Sequence, residues 1–533
     1  MGAVKSRRAF LLGGAGTALA TTLSAGKREI AGGIIGASMA RGHLLRDGAP
    51  ALPDGGETTC DVAIVGGGVS GLSAAWRLAP SGVNVRLLEL EPVLGGTSRS
   101  GDEGVVAHPW GAHYLPVPNP EARAALRLLE EMGVLVGWDA GGRPRFDPRV
   151  LCHAPDERIF YRGAWHMGLV PSDALETREI AELRRFTAFT EALSRKRGSD
   201  GRFLFQIPIA ESSRDADTVA LDRMSMASWL DREGYVTPFM RWYVRYATLD
   251  DFGGEPEDVS AWAGLHYFTA RKLKSPELEG SRFLVWPEGN GHLVHALERS
   301  LPEGAATRGA VVLGVEPAEK DVIVRYIDLE ARGLRRLRAR AVVLAVPAFV
   351  ARRLLATSAL PTRKTSPWIV ANLHVERDID PNQTWDSVLF DARGLGYVDA
   401  AHQLTPPRRD TVLTYFRAFG DEDVGRVRAD LATANWDELA GAAMDDLAPA
   451  HPDLREQTKR IDVMIWGHAM PRPCVGFLGD APFEETRRLA QRVAWGHVDL
   501  PGMALFEEAQ RSGVLAAESA AKDAGIDLGE TWA

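Results

Sequence analysis

Cys60-Asp61-Val62-Ala63-Ile64-Val65 runs directly into Gly66-Gly67-Gly68-Val69-Ser70-Gly71 and then into a helix-like stretch, Leu72 to Leu78. The first run is short, apolar and rich in β-branched residues, as a buried parallel strand is. The G-x-G-x-x-G spacing gives each glycine a task. Gly66 makes the tight strand-to-helix turn, Gly68 lets a pyrophosphate approach the backbone, and Gly71 lets helix and strand pack closely. Ser70 lies inside the same turn, where backbone N–H groups and the helix dipole favour phosphate charge. Val83 to Leu88 reads as the next strand, and it ends on Glu89, 18 residues after Gly71. An acid there accepts hydrogen bonds from ribose hydroxyls and repels a 2′-phosphate, which disfavours NADP. Strand, glycines, helix, strand and acid in register predict an α/β fold with a Rossmann-like domain.

The next residues point to the kind of dinucleotide. Gly95-Gly96-Thr97-Ser98-Arg99 follows the acid within ten residues, and Gly111-Ala112-His113-Tyr114 comes soon after. These stretches resemble the flavin-containing amine oxidase family, within the superfamily that includes phytoene desaturase and protoporphyrinogen oxidase. There, a second Gly-Gly lies over the phosphates of FAD and a Gly-Ala-His segment lies beside the isoalloxazine. Thr97 stands where the family has arginine, so the resemblance implies that Arg99 takes over the charge contact. Further resemblances are Trp286 to Gly291 before a helix Leu293–Leu297, the strand Val311 to Val315, and Ala341 to Pro347. The family hydrogen-bonds adenine from the second of these, at Val312 by register. The terminal stretch Trp495 to Gly513 resembles the family's FAD clasp, with Asp499 as its acid and Gly502 and Met503 on the approach to the last helix.

The resemblance covers both ends and the middle of the chain. It implies a discontinuous FAD-binding domain (59–119, 281–360 and 474–533) into which an α+β substrate domain of mixed sheet and helices (120–280 and 361–473) is inserted. Residues 177–195 and 223–233 have helical spacing, and 367–372 and 396–402 alternate as strands of a roof over the flavin. Phe239 to Tyr246 is densely aromatic and reads first as core. Asp250, Asp251 and Glu255 read as a solvated loop, with a cationic substrate as the sharper alternative. His113 and His402 are weak candidates for a catalytic base, and satisfied structural histidines are the simpler reading. Two family features are missing: Trp368 to His374 has no lysine, and Leu505 stands where a cage tyrosine belongs. Trp466 or Trp495 is left as an aromatic wall.

The first 46 residues carry +6, seven basic residues against Glu29, and leave −15 on the rest of a chain whose net charge is −9. Ser6-Arg7-Arg8-Ala9-Phe10-Leu11-Leu12 opens an uncharged, mildly apolar run to Gly26, which resembles a twin-arginine export signal. Residues 1–45 are therefore expected to be a signal or anchor region and 46–58 a linker, with the export machinery as partner and a location in the periplasm or on the outer face of the cytoplasmic membrane. The acidic body argues against nucleic acid. Three cysteines without a C-x-x-C pair give neither a disulfide framework nor a metal site. The expected activity is oxidation of an amine, a polyamine among the choices, by hydride transfer to flavin N5. The alternatives are desaturation of an apolar substrate and a flavin-binding envelope protein without turnover.

Overall fold

The structure is a computed structural model. It describes residues 29–48, 50–275, 277–278, 281–357, 360, 363–376, 384–420, 423–479 and 487–533. The arginine pair and the apolar run after it lie outside the described residues. Two eight-stranded sheets organise the chain.

The nucleotide sheet begins with the strand Asp54–Val65, whose C-terminal half is buried on both faces. Val85–Glu89 pairs parallel on one side of it, with Ala306–Arg308 beyond. Gly333–Leu344 pairs parallel on the other side and carries Val493–Trp495 along its end. The antiparallel strands Ala310–Pro317 and Val322–Asp328 complete the sheet. Five parallel strands buried by helices need near-continuous apolar runs, and Val62, Ala63, Ile64, Val342, Val343 and Leu344 supply them at 0% exposure. The first strand starts at Asp54, so it takes in residues expected to be linker. It gains those pairs because Gly333–Leu344 is equally long and holds Glu57 to Cys60 opposite Arg336 to Ala339.

The second sheet is mostly antiparallel. Its order is Ala31–Ile34, Thr458–Pro471, Thr365–Glu376, Asp410–Ala418, Gly396–Asp399, Asp386–Leu389, Glu157–Tyr161 and Ala164–Met167. One face is covered by the helices Val424–Leu431 and Trp436–Leu447, which bury Ile369, Ala371 and Leu373. The alternate residues Trp368 and Val370 face the helices Pro238–Phe252 and Ala261–Ala270, as period-two geometry requires. The aromatic stretch is core as expected, with Phe239 and Met240 at 0% exposure. Residues 29–48, expected to belong to the signal region up to 45 and to the linker beyond it, are folded: a strand on the edge of this sheet and a helix, Met39–Asp47.

Candidate functional site

Gly66 to Gly71 form the expected turn, and the helix Val69–Leu78 leaves it with Gly68 as N-cap. A side chain at Gly71 would collide with the Gly66 carbonyl, so the turn closes only because position 71 lacks one. The Ser70 hydroxyl donates to the Ala509 carbonyl (2.8 Å), so it ties this helix to Phe506–Asp523 and leaves the turn to backbone groups. Glu89 arrives at the tip of its strand. Its carboxylate accepts N–H bonds from Gly67 (2.6 Å) and Glu91 (2.8 Å), while burial pushes its pKa up. The second glycine pair docks on the first, with Gly95 N–H donating to Gly67 O at 2.8 Å.

Arg99 is 5% exposed and crosses from this sheet to the other. It donates to Met464 Sδ at 3.1 Å and lies over the Trp466 ring at 4.8 Å. Among the described residues it hydrogen-bonds no oxygen, although five donors are available on a guanidinium. Burial lowers its pKa, and Glu91 and Glu89 act on it only through space. A buried cation without an oxygen partner is costly unless an anion joins it. Trp466 also donates to the Trp110 carbonyl (2.7 Å), which fixes the segment leading to Gly111 and Ala112 beside it.

The remaining sequence candidates fall at different depths. Val312 lies at a register shift in its strand and is 8% exposed. Asp499 accepts the Ala348 N–H (2.7 Å) at the start of the helix Ala348–Leu354 and sits 3.3 Å from His497, the two contacts that help hold its pKa low. Gly502 adopts a positive φ of 81°, and Met503 is fully buried. Trp495 is core, with its N–H on Val346 O, so Trp466 is the wall that remains. His113 contacts the Gly111 carbonyl at 3.1 Å, and burial lowers its pKa to about 4, so it is neutral at pH 7. It shares a small cavity with His402, Asp399 and Trp385. His402 lies against the His153 carbonyl at 2.9 Å.

Beyond Tyr114 lies an acidic cluster, in which Asp386 stands opposite Glu157 on paired parallel strands. Asp250, Asp386 and Glu157 come from three separate segments and are only partly accessible. Burial raises Asp250 to about 7, Glu157 to about 7, and Asp386 well above the usual carboxylate range; repulsion adds to it, from Asp251 on Asp250, from Asp156 on Glu157, and from Asp250 and Glu157 on Asp386. Among the described residues Asp386 Oδ1 has no hydrogen-bond partner. Tyr114, Tyr246 and Tyr267 feel the same acids. The nearby Arg271 is occupied by Asp251, at 2.6 and 2.7 Å. Asp250 and Asp251 therefore end a buried helix rather than lie on a solvated loop, and Glu255 pairs with Arg245 at 2.7 Å. For Asp386, an isolated acid within Trp385-Asp386-Ser387-Val388-Leu389 was the one local hint.

Superposition on solved structures gives the fold a precedent. Putrescine oxidase, in its wild-type form bound to putrescine, aligns with a TM-score of 0.63 and 16% identity over 87% of this chain and 99% of that one. Cyclohexylamine oxidase from Brevibacterium oxydans IH-35A aligns at 0.62 with 19% identity, over 87% and 99%. The fold is that of these amine oxidases. Residues 64–131 match the model of the NAD(P)-binding Rossmann-like domain. Amine oxidase [flavin-containing] B of Cavia porcellus is 41% identical over 76 residues, 14% of this chain and 14% of that protein. The sequence likeness to these amine oxidases thus covers a small part of either protein, and the structural likeness covers most of the chain.

Proposed function

We propose that the chain is an FAD-dependent oxidoreductase that oxidises an amine. The observation that carries the reading is Arg99, a buried guanidinium at the dinucleotide turn with sulfur and ring contacts and no oxygen partner. A pyrophosphate would supply the missing anion through charge-assisted hydrogen bonds. In this reading Gly66, Gly68, Ser70, Gly71, Gly95, Gly96 and Arg99 line the phosphates. Glu89 takes the ribose, Val312 the adenine, and Gly111, Ala112, Asp499, Gly502 and Met503 surround the flavin end. The division of residues 59–533 into FAD and substrate domains read from the sequence is kept with it.

Bound FAD would supply the hydride acceptor; the chain's residues do the rest. In this reading Asp250, Asp386 and Glu157, with the tyrosines and Trp385, form a substrate chamber that draws in a protonated amine. Entry of a cation favours ionisation of these raised carboxyls, so amine capture and proton release are coupled. The low-polarity wall then favours the neutral amine that can release hydride. His113 is neutral and stands at the boundary of chamber and cleft as an acceptor or donor, without charge. The test is anaerobic addition of polyamines, monoamines and amino acids to purified protein. Loss of flavin absorbance with an amine is the expected result, and an unchanged spectrum across the panel overturns the reading. The absence of lysine from Thr365–Glu376 favours a second reading, carbon–carbon dehydrogenation of an apolar substrate, which the same panel separates.

Export by the twin-arginine route is part of the proposal and is supported by Arg7 and Arg8 ahead of the uncharged run. The double variant Arg7→Lys, Arg8→Lys is expected to leave the protein inside the cell. Fractionation checks this, and unchanged export overturns it.

A further inference from the structure

The segment between the export-like head and the first nucleotide-sheet strand bridges the two sheets. Ala31–Ile34 pairs parallel with Thr458–Pro471, from Ala31 opposite Arg460 to Ile34 opposite Val463, and Ile35 N–H continues the ladder to Val463 O at 2.8 Å. The chain then crosses to the other sheet. Ser38 N–H donates to Glu91 Oε1 at 2.6 Å, and Arg41 reaches Glu91 Oε2 at 3.3 Å. Leu45 packs against the cluster that holds Leu88 and Val312. At the crossing stands Gly36, with φ of 90°, where any side chain would strike Met464 and come 2.6 Å from an Arg99 nitrogen.

We infer that residues 29–48 are a strap that closes the adenosine end of the dinucleotide cleft and slows the escape of FAD. The inference rests on the reading that this cleft holds FAD. The strap covers the binding groups without replacing their ligand. Its hydrogen bonds outward go to the strand Thr458–Pro471 and to Glu91. Among the described residues they leave Gly66 to Gly71, Glu89 and the Arg99 guanidinium without a partner from the strap. Glycine at the crossing also keeps side-chain bulk off Arg99. An element that competed with the dinucleotide would instead offer Arg99 an anion. The strap offers none.

The experiment is the rate of FAD release from full-length holo-protein after dilution, followed by the rise in flavin fluorescence. Arg41→Glu sets two carboxylates against each other at the nucleotide-sheet end, and Ile35→Asp puts a charge into the apolar seam at the other end. Each is expected to speed release by about fivefold or more, the scale of losing one half-exposed ion pair and adding a repulsion. Arg41→Lys, which keeps the charge, should stay within about twofold. Unchanged or slower release in both Arg41→Glu and Ile35→Asp overturns the strap. Wild-type protein that takes up no FAD overturns the flavin reading and the strap with it, a result distinct from holo-protein with unaltered release.

Discussion

Arg99 makes the clearest claim at the scale of one residue. Its charge is desolvated in the folded protein and regains interaction energy only through an anion. Arg99→Met should therefore act with opposite signs on two quantities. FAD affinity should fall about 10- to 100-fold, the worth of charged hydrogen bonds at roughly 1.5–3 kcal/mol. The melting temperature of the apo-protein should hold or rise. FAD titration and thermal melts read the two separately, and a fall in apo stability without a fall in affinity would make Arg99 a structural residue. The arginine itself was legible in sequence, two places after Thr97. Its isolation was not, because Met464 and Trp466 arrive from more than 360 residues away. The same holds for Asp499, whose capping of the helix at Ala348 depends on a contact across 151 positions.

Among elements, those whose logic is local were readable. The glycine turn, the helix after it and the acid-tipped strand follow from spacing and β-branched runs within 30 residues. The strap was not readable. A basic head beside small residues has the composition of a leader, and only the free edge of Thr458–Pro471 makes a strand of Ala31–Ile34. The acidic cluster was readable only in part: Asp250 stood out beside Asp251, but Glu157 and Asp386 belong to strands 229 positions apart that only the roof sheet sets opposite each other. Helix packing offers a sharp test of the nucleotide unit. Phe506–Asp523 lies so close to Val69–Leu78 that a Cβ at Gly513 would strike the Ser70 carbonyl. Gly513→Val should cost about 1–3 kcal/mol or more through overpacking. It should also weaken FAD binding, since the glycine turn moves with that helix. Urea unfolding and FAD titration are the measurements, and a neutral variant would show the two helices to be loosely coupled.

For the molecule as a whole, the buried acids set a pH dependence. Asp250, Glu157 and Glu507 are each raised to about 7. A raised carboxyl binds its proton more tightly folded than unfolded. Its contribution is complete below the unfolded value near 4 and is lost as pH rises through 7. Apo-protein stability should fall between pH 5 and pH 8, by about 1.4 kcal/mol per pH unit for each proton held in excess. Asp250→Asn and Glu507→Gln should flatten the curve, and a cationic amine should recover stability at the alkaline end. Melting curves across pH, with and without amine, decide it; a slope of the opposite sign would mean that the chamber is wetter than its burial suggests. The seam between the two helices carries one further consequence. Ser70 and Ala509 are 439 residues apart. At about 5–20 residues per second a ribosome needs roughly 20–90 seconds to make the second after the first. Throughout that interval the newborn glycine turn lacks its neighbour, so firm uptake of the cofactor is expected only after the last helix has emerged.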